Sequence, residues 1–139
     1  MNRFFHATII LLATASSGQA AGIDALAAKN SPLGKGEVIA FFGDSITQAG
    51  ARPGGYCRLI GEAIAKQRPE LGVTIVYAGI SGHKVPNLQG RLDRDVLSKK
   101  PTIVFIYIGI NDVWHSTSGR GTSKDKFDAG LRDLITKIT

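Results

Sequence analysis

The sequence predicts an α/β protein built on a parallel sheet with helices over both faces. Three observations carry this. Val38–Phe42, Val73–Tyr77 and Thr102–Ile108 are short, largely apolar runs rich in β-branched and aromatic residues, the pattern of strands buried on both sides. Between and after them, apolar residues recur at helical spacing. The two patterns alternate as β-α-β-α-β-α, an order that calls for crossover connections between parallel strands, right-handed by the handedness of strand and helix.

Taken in order, the chain starts with a segment of a different kind. Arg3 and His6 precede an apolar stretch, Ala7–Ala15, and small residues follow (Ser16, Ser17, Gly18, Ala20, Ala21). This is the layout of a secretory signal peptide over residues 1–20, cleaved after Ala20. The apolar stretch is well short of the roughly 20 residues that a membrane span needs. The expected location is therefore secreted or periplasmic, with no stable membrane span after cleavage. Residues 21–36 are small and polar, with Ser31-Pro32 and Gly34-Lys35-Gly36, and read as an exposed leader. The folded domain is expected over 37–139.

Within it, Val38–Phe42 is the first strand. Tyr56, Leu59, Ile60, Ala63 and Ile64 form the inward stripe of a first helix that Arg68-Pro69 stops. Val73–Tyr77 is the second strand. Val85, Leu88, Leu92, Val96 and Leu97 make a second helical stripe, ended before Pro101. Thr102–Ile108 is the third strand. After a polar loop, Thr122 is placed to cap a third helix, with Asp125 in its first turn and Phe127, Leu131, Leu134, Ile135 and Ile138 facing inward.

Composition limits the function classes. The chain has 139 residues, 43% hydrophobic and 20% charged, enough for one domain with a modest core. Its net charge is +6, but the basic residues are scattered, without the dense basic run and interleaved aromatics of a nucleic-acid site. Nucleic-acid binding is not expected. Cys57 is the single cysteine, so no internal disulfide can form, and its place in the first helix marks it as a small buried hydrophobe. Gly34-Lys35-Gly36 lacks the spacing of a phosphate loop and precedes its strand. Neither metal-ligand spacing nor a cofactor motif is evident.

The chemistry gathers at strand ends. Ligands of an open parallel sheet bind beyond the carboxyl ends of its strands. There the chain places Gly43-Asp44-Ser45-Ile46-Thr47, Gly79-Ile80-Ser81-Gly82 and Gly109-Ile110-Asn111-Asp112, one after each strand. Ser45 is the candidate nucleophile; a lone serine here would read equally well as a helix cap. Its own N–H, the N–H of Gly82 and the side-chain amide of Asn111 are the candidate donors to an oxyanion. Tyr107 is expected in the core of its strand. Trp114 is a candidate substrate contact, and Arg52-Pro53-Gly54-Gly55 reads as a solvated turn.

These three blocks resemble the first three conserved blocks of the SGNH hydrolases, also called GDSL esterases and lipases. Arg91–Leu97 followed by Lys100-Pro101 fits the usual run of that family, and the likeness covers about residues 38–138. The resemblance implies a flavodoxin-like three-layer α/β/α fold, with about three of its strands present here. It implies hydrolysis of carboxylic esters without a metal or other cofactor, with a small-molecule, lipid or carbohydrate ester as substrate. Ser45 would be the nucleophile, its N–H with Gly82 and Asn111 the oxyanion hole, and Asp44 and Asp112 structural supports of the loops. No Gly-x-Ser-x-Gly elbow is present, which argues against the α/β-hydrolase alternative.

Two departures stand out. Tyr77 replaces an asparagine common in the family, with an expected effect on loop hydrogen bonding. The family's Asp-x-x-His block near the C-terminus is absent, so the general base and its orienting carboxylate are expected outside this sequence, and the third strand is expected at an open edge. His83 and His115 are expected at the substrate rim, as is Trp114. A non-catalytic relative that binds carbohydrate or acyl ligands is the alternative reading.

Overall fold

In a computed structural model, which describes residues 8–9 and 33–139, the strands in chain order are β1 (Thr8–Ile9), β2 (Val38–Gly43), β3 (Thr74–Gly79) and β4 (Ile103–Tyr107). They form one parallel sheet in the spatial order β1-β4-β2-β3. The chain moves from β2 outward to β3, then crosses back over β2 to reach β4. For these three strands that is the arrangement of a flavodoxin-like sheet, with a switch point between β2 and β4. Apart from Thr8–Ile9, the expected signal peptide lies outside the described residues, as does most of the expected leader. Thr8–Ile9 pairs with Ile103 and Val104, so the edge of β4 expected to be open is covered along those two residues. Further along that edge, Phe105, Ile106 and Tyr107 have no strand partner among the described residues.

Alternation along β2 builds the two cores. Ala40 and Phe42 point to one face, where they join Ala78, Val104 and Ile106 and pack against Val85, Leu88, Leu92, Val96 and Leu134. Ile39 and Phe41 point to the other and pack with Leu33, Cys57, Ile60, Ile64, Leu71 and Phe105. Period-two side-chain direction thus feeds two helical layers from one strand. The first face is covered by α3 (Val85–Gln89), α4 (Leu92–Asp95) and α6 (Lys124–Ile138), and the second by α2 (Tyr56–Gln67). Two shorter helices, α1 (Ser45–Gly50) and α5 (Ile110–Trp114), start directly after β2 and close after β4. Phe41 stacks on Phe105 with ring centroids 5.1 Å apart and meets the edge of Tyr56 at 5.8 Å. Cys57 is fully buried, and burial pushes its thiol up to about 11, in keeping with a packing role.

Three local expectations need correction. The single stripe from Val85 to Leu97 is two short helices and a 3₁₀ turn (Leu97–Lys99). Gly90 is a poor helix residue and Arg91 leaves helical geometry at φ −127°, yet Val85, Leu88, Leu92 and Val96 all remain buried. The last helix is capped from Ser123, one residue after Thr122, without a side-chain hydrogen bond. Tyr107 is 42% exposed and not in the core: it shares the face of buried Phe105, but at the end of β4 it lies beyond the helical cover.

The core assignment has a measurable consequence. Phe41→Ala should cost about 3–5 kcal/mol in urea denaturation, as for other buried phenylalanines. A loss below about 1 kcal/mol would contradict the packing of Phe41 between Tyr56 and Phe105.

Candidate active site at the strand ends

β2 ends level with both neighbours. Gly43 is paired with Gly79 on one side and with Tyr107 on the other. The turns that follow the three strands therefore leave the sheet at one rim.

After β2, Asp44 is fully buried and caps α1: its Oδ1 accepts the Ile46 N–H at 2.9 Å. Ser45 is therefore the first helical residue and not the cap, half-buried at the rim. No hydrogen bond among the described residues occupies its hydroxyl.

After β3, the backbone of Gly79 lies against α1, and a Cβ there would collide with the Gln48 nitrogen. The loop continues to Gly82, exposed and at φ +75°, a conformation that favours glycine. Its neighbours are both tied down. The Ser81 N–H donates to Gln48 Oε1 at 3.1 Å, and the His83 carbonyl accepts from Asn111 Nδ2 at 3.0 Å. The Gly82 N–H itself is used by no hydrogen bond among the described residues.

After β4, Gly109 leads into α5, which carries Asn111 and Asp112 in its first turn. Asn111 is half-buried and its amide reaches the loop after β3. Asp112 is buried, and its carboxylate accepts the Val85 N–H at 3.2 and 3.4 Å, so it ties α5 to the start of α3. The structure thus brings Ser45, Gly82 and Asn111 to one rim and puts Asp44 and Asp112 beneath it.

Burial raises the Asp44 carboxyl above its ordinary range, the Ile46 N–H opposes that rise, and the Asp112 charge adds to it. Asp44 Oδ2 is buried without a hydrogen-bond partner among the described residues. Asp44 also lines a cleft with Ile46, Tyr107, Ile108, Gly109, Ile110 and Val113. Trp114 is not among its walls and stands 71% exposed beside it in sequence. Tyr77 lies at the sheet edge with its hydroxyl beside Gly61 on α2, away from the loop whose bonding it was expected to alter.

The two histidines differ. His115 opens a 3₁₀ turn (His115–Ser118) after α5. Asp112 and His115 have the spacing of an Asp-x-x-His pair, but the Asp112 carboxylate is engaged by the Val85 N–H and no hydrogen bond joins the two. His83 follows Gly82, and its Nδ1 accepts from Arg91 Nε at 3.0 Å. No hydrogen bond links either ring to the Ser45 hydroxyl among the described residues. No cluster of three or more His, Cys, Asp or Glu side chains among those residues could hold a metal ion. No helix among them is long and apolar enough to cross a membrane.

Arg91 and Gln48 are the participants that sequence reasoning missed. The signal for Arg91 was its place: a charged residue beside Leu92 and three after Leu88, inside an apolar stripe. Gln48 carries no such mark, being a polar residue on a short helix.

Residues 41–139 match the GDSL-like Lipase/Acylhydrolase family. The chain belongs to that family. An acetylxylan esterase of Geobacillus stearothermophilus is 38% identical over 119 residues, covering 74% of this chain and 54% of the relative. Among solved structures, the acetyl xylan esterase AlAXEase superposes with a TM-score of 0.68 at 45% identity, over 73% of this chain and 52% of that one. The G. stearothermophilus acetylxylan esterase Axe2 gives 0.65 at 36% identity, over 76% and 55%. Solved catalytic mutants of Axe2 replace a serine, an aspartate or a histidine with alanine. The chain spans about half the length of these GDSL-like relatives.

The contact between Arg91 and His83 gives this family member a pH signature. Burial first, then the Arg91 charge, holds the His83 imidazole below its ordinary range; Arg94 adds to this and Asp95 opposes it. The neutral ring is the form that accepts from Arg91. Its stabilisation is complete above the ordinary imidazole pKa of about 6.5 and is lost as pH falls through the lower value of the folded state. Unfolding free energy from urea titrations should fall between about pH 7 and pH 5, and His83→Asn should flatten that slope. Identical slopes in both proteins would remove His83 from the account.

Proposed function

We propose that this protein is a secreted or periplasmic serine ester hydrolase that removes acyl groups, acetyl foremost, from carbohydrate esters. The observation that carries the reading is the rim itself. The Ser45 hydroxyl and the Gly82 N–H stand there without hydrogen-bond partners among the described residues, and Asn111 Nδ2 is tied to the residue that follows Gly82. Ser45 Oγ attacks the acyl carbon. The oxygen that becomes negative rests on the Ser45 N–H, the Gly82 N–H and the Asn111 amide, donors fixed before the charge develops. The alcohol leaves with a proton, and water then releases the acyl group from Ser45. The proton carrier is the histidine of the family's separate Asp-x-x-His block. The aspartate and histidine among the Axe2 catalytic mutants support that assignment.

The acetyl preference rests on the named activity of the relatives, and on a carbohydrate's fit to an open, partly aromatic rim. Tyr107, Ile110, Val113 and Trp114 expose apolar surface next to the cleft, suited to the flat face of a sugar ring. Export rests on the charged, apolar and small-residue sequence of residues 1–20.

In the full-length protein, Ser45→Ala should lower kcat for p-nitrophenyl acetate and for acetylated xylooligosaccharides by at least about 10³-fold, and Asn111→Ala by about 10²–10³-fold. Hydrolysis that survives Ser45→Ala would overturn the nucleophile. Binding of the oligosaccharide with no hydrolysis above that of Ser45→Ala would favour a non-catalytic binding relative, since neither histidine described here touches the Ser45 hydroxyl. N-terminal sequencing of protein exported by a bacterial host should begin at Ala21; an intact Met1 would count against export by cleavage.

A further inference from the structure

We propose that Arg91 is a positioning residue that fixes the Gly82 N–H for the oxyanion. The inference rests on the ester-hydrolase reading and names a part of its machinery outside the three motif blocks. Arg91 is 4% exposed, deep under the rim. Its donors reach three separate pieces of the site. Nη2 donates to the Gly43 carbonyl at 2.7 Å, at the end of β2 and two residues before Ser45. Nη1 donates to the Ala78 carbonyl at 2.9 Å, two residues before the loop that carries Gly82 begins, and to Asp95 Oδ2 at 3.0 Å. Nε donates to His83 Nδ1 at 3.0 Å, directly after Gly82. The guanidinium also lies over the Phe42 ring, 4.6 Å from its centroid.

One rigid planar group therefore sets the distance between the serine turn and the Gly82 loop. A lysine ammonium cannot reproduce this, because its donors radiate from one point and lack the fixed fork. From outside, Gln48 pins Ser81 and Asn111 pins the His83 carbonyl. The segment Ser81–His83 is thus held at both ends and from below, while the N–H in its middle makes no hydrogen bond among the described residues. A donor aimed in advance at a developing charge is effective to the extent that it cannot move. A buried arginine with an acidic partner could equally be a plain staple of the core, and a test must separate the two roles.

The test uses Arg91→Lys and the rim variant Gln48→Ala in the full-length protein. It reads kcat and KM for p-nitrophenyl acetate, the thermal midpoint, and the backbone ¹⁵N order parameter of the Gly82 amide by NMR. Positioning predicts a kcat lower by about tenfold or more for Arg91→Lys, with KM changed less than about twofold. It predicts a smaller kcat loss in the same direction for Gln48→Ala at an unchanged midpoint. It also predicts a lower Gly82 order parameter in both variants, with that of Phe41 unchanged for Gln48→Ala. A lower midpoint for Arg91→Lys with kcat and the Gly82 order parameter unmoved would overturn the proposal. Should wild type hydrolyse ester no faster than Ser45→Ala, the hydrolase reading fails by itself. The Gly82 order parameter then decides: lower in Arg91→Lys upholds the positioning role, and unchanged rejects it.

Discussion

The register of β2 is the constraint on which the site depends. Val38–Gly43 pairs residue for residue with Thr74–Gly79, and Ile39–Gly43 with Ile103–Tyr107. Gly43 is the last paired residue in both ladders, so three chain segments leave the sheet at one height. A slip of one residue on either side would move a turn along the rim and invert that strand's two faces. The inversion is strongly resisted here, because both faces of β2 are buried. Hydrophobic packing deep in the sheet thereby sets the position of polar groups at its end.

Beneath those polar groups the molecule is unusually rich in buried charge. Asp44, Arg91 and Asp112 are all removed from solvent within the same layer. Arg91 and Asp112 find partners on other elements and act as cross-links between segments that are distant in sequence. Asp44 satisfies one oxygen and leaves the other without a partner among the described residues. An unsatisfied buried oxygen costs about 1–3 kcal/mol. Local rules of stability are broken most often where function is built, and Asp44 is next to Ser45.

The sheet was legible in the sequence because its strands are continuous apolar runs between glycine and proline breaks. β2, β3 and β4 lie within a residue or two of the expected spans, and α2 ends before the proline that predicted its stop. The motif residues were legible because strand order fixes which turns share an edge. What was hidden depends on three dimensions. Arg91 lies in an apolar stripe, and two of its donors are met by carbonyls at the ends of β2 and β3, which no local window contains. The breaks in the Val85–Leu97 stripe leave its burial intact, so periodicity alone could not reveal them. Tyr107 was misread because a strand end loses the cover that its middle has.

The dispersal of the site over three strand ends has a kinetic meaning. Its members come from positions 45, 82 and 111, and contacts between distant segments join them: Gln48 to the middle loop, and Asn111 across to His83. Closing such distant contacts is the slow part of forming a parallel sheet. A partly collapsed chain with β2 and β3 paired would already possess the serine turn and the glycine loop, yet would lack the amide from β4. The complete rim of Ser45, Gly82 and Asn111 is therefore one of the last features this polypeptide acquires on refolding, and its appearance reports that the crossover to the far side of β2 is complete.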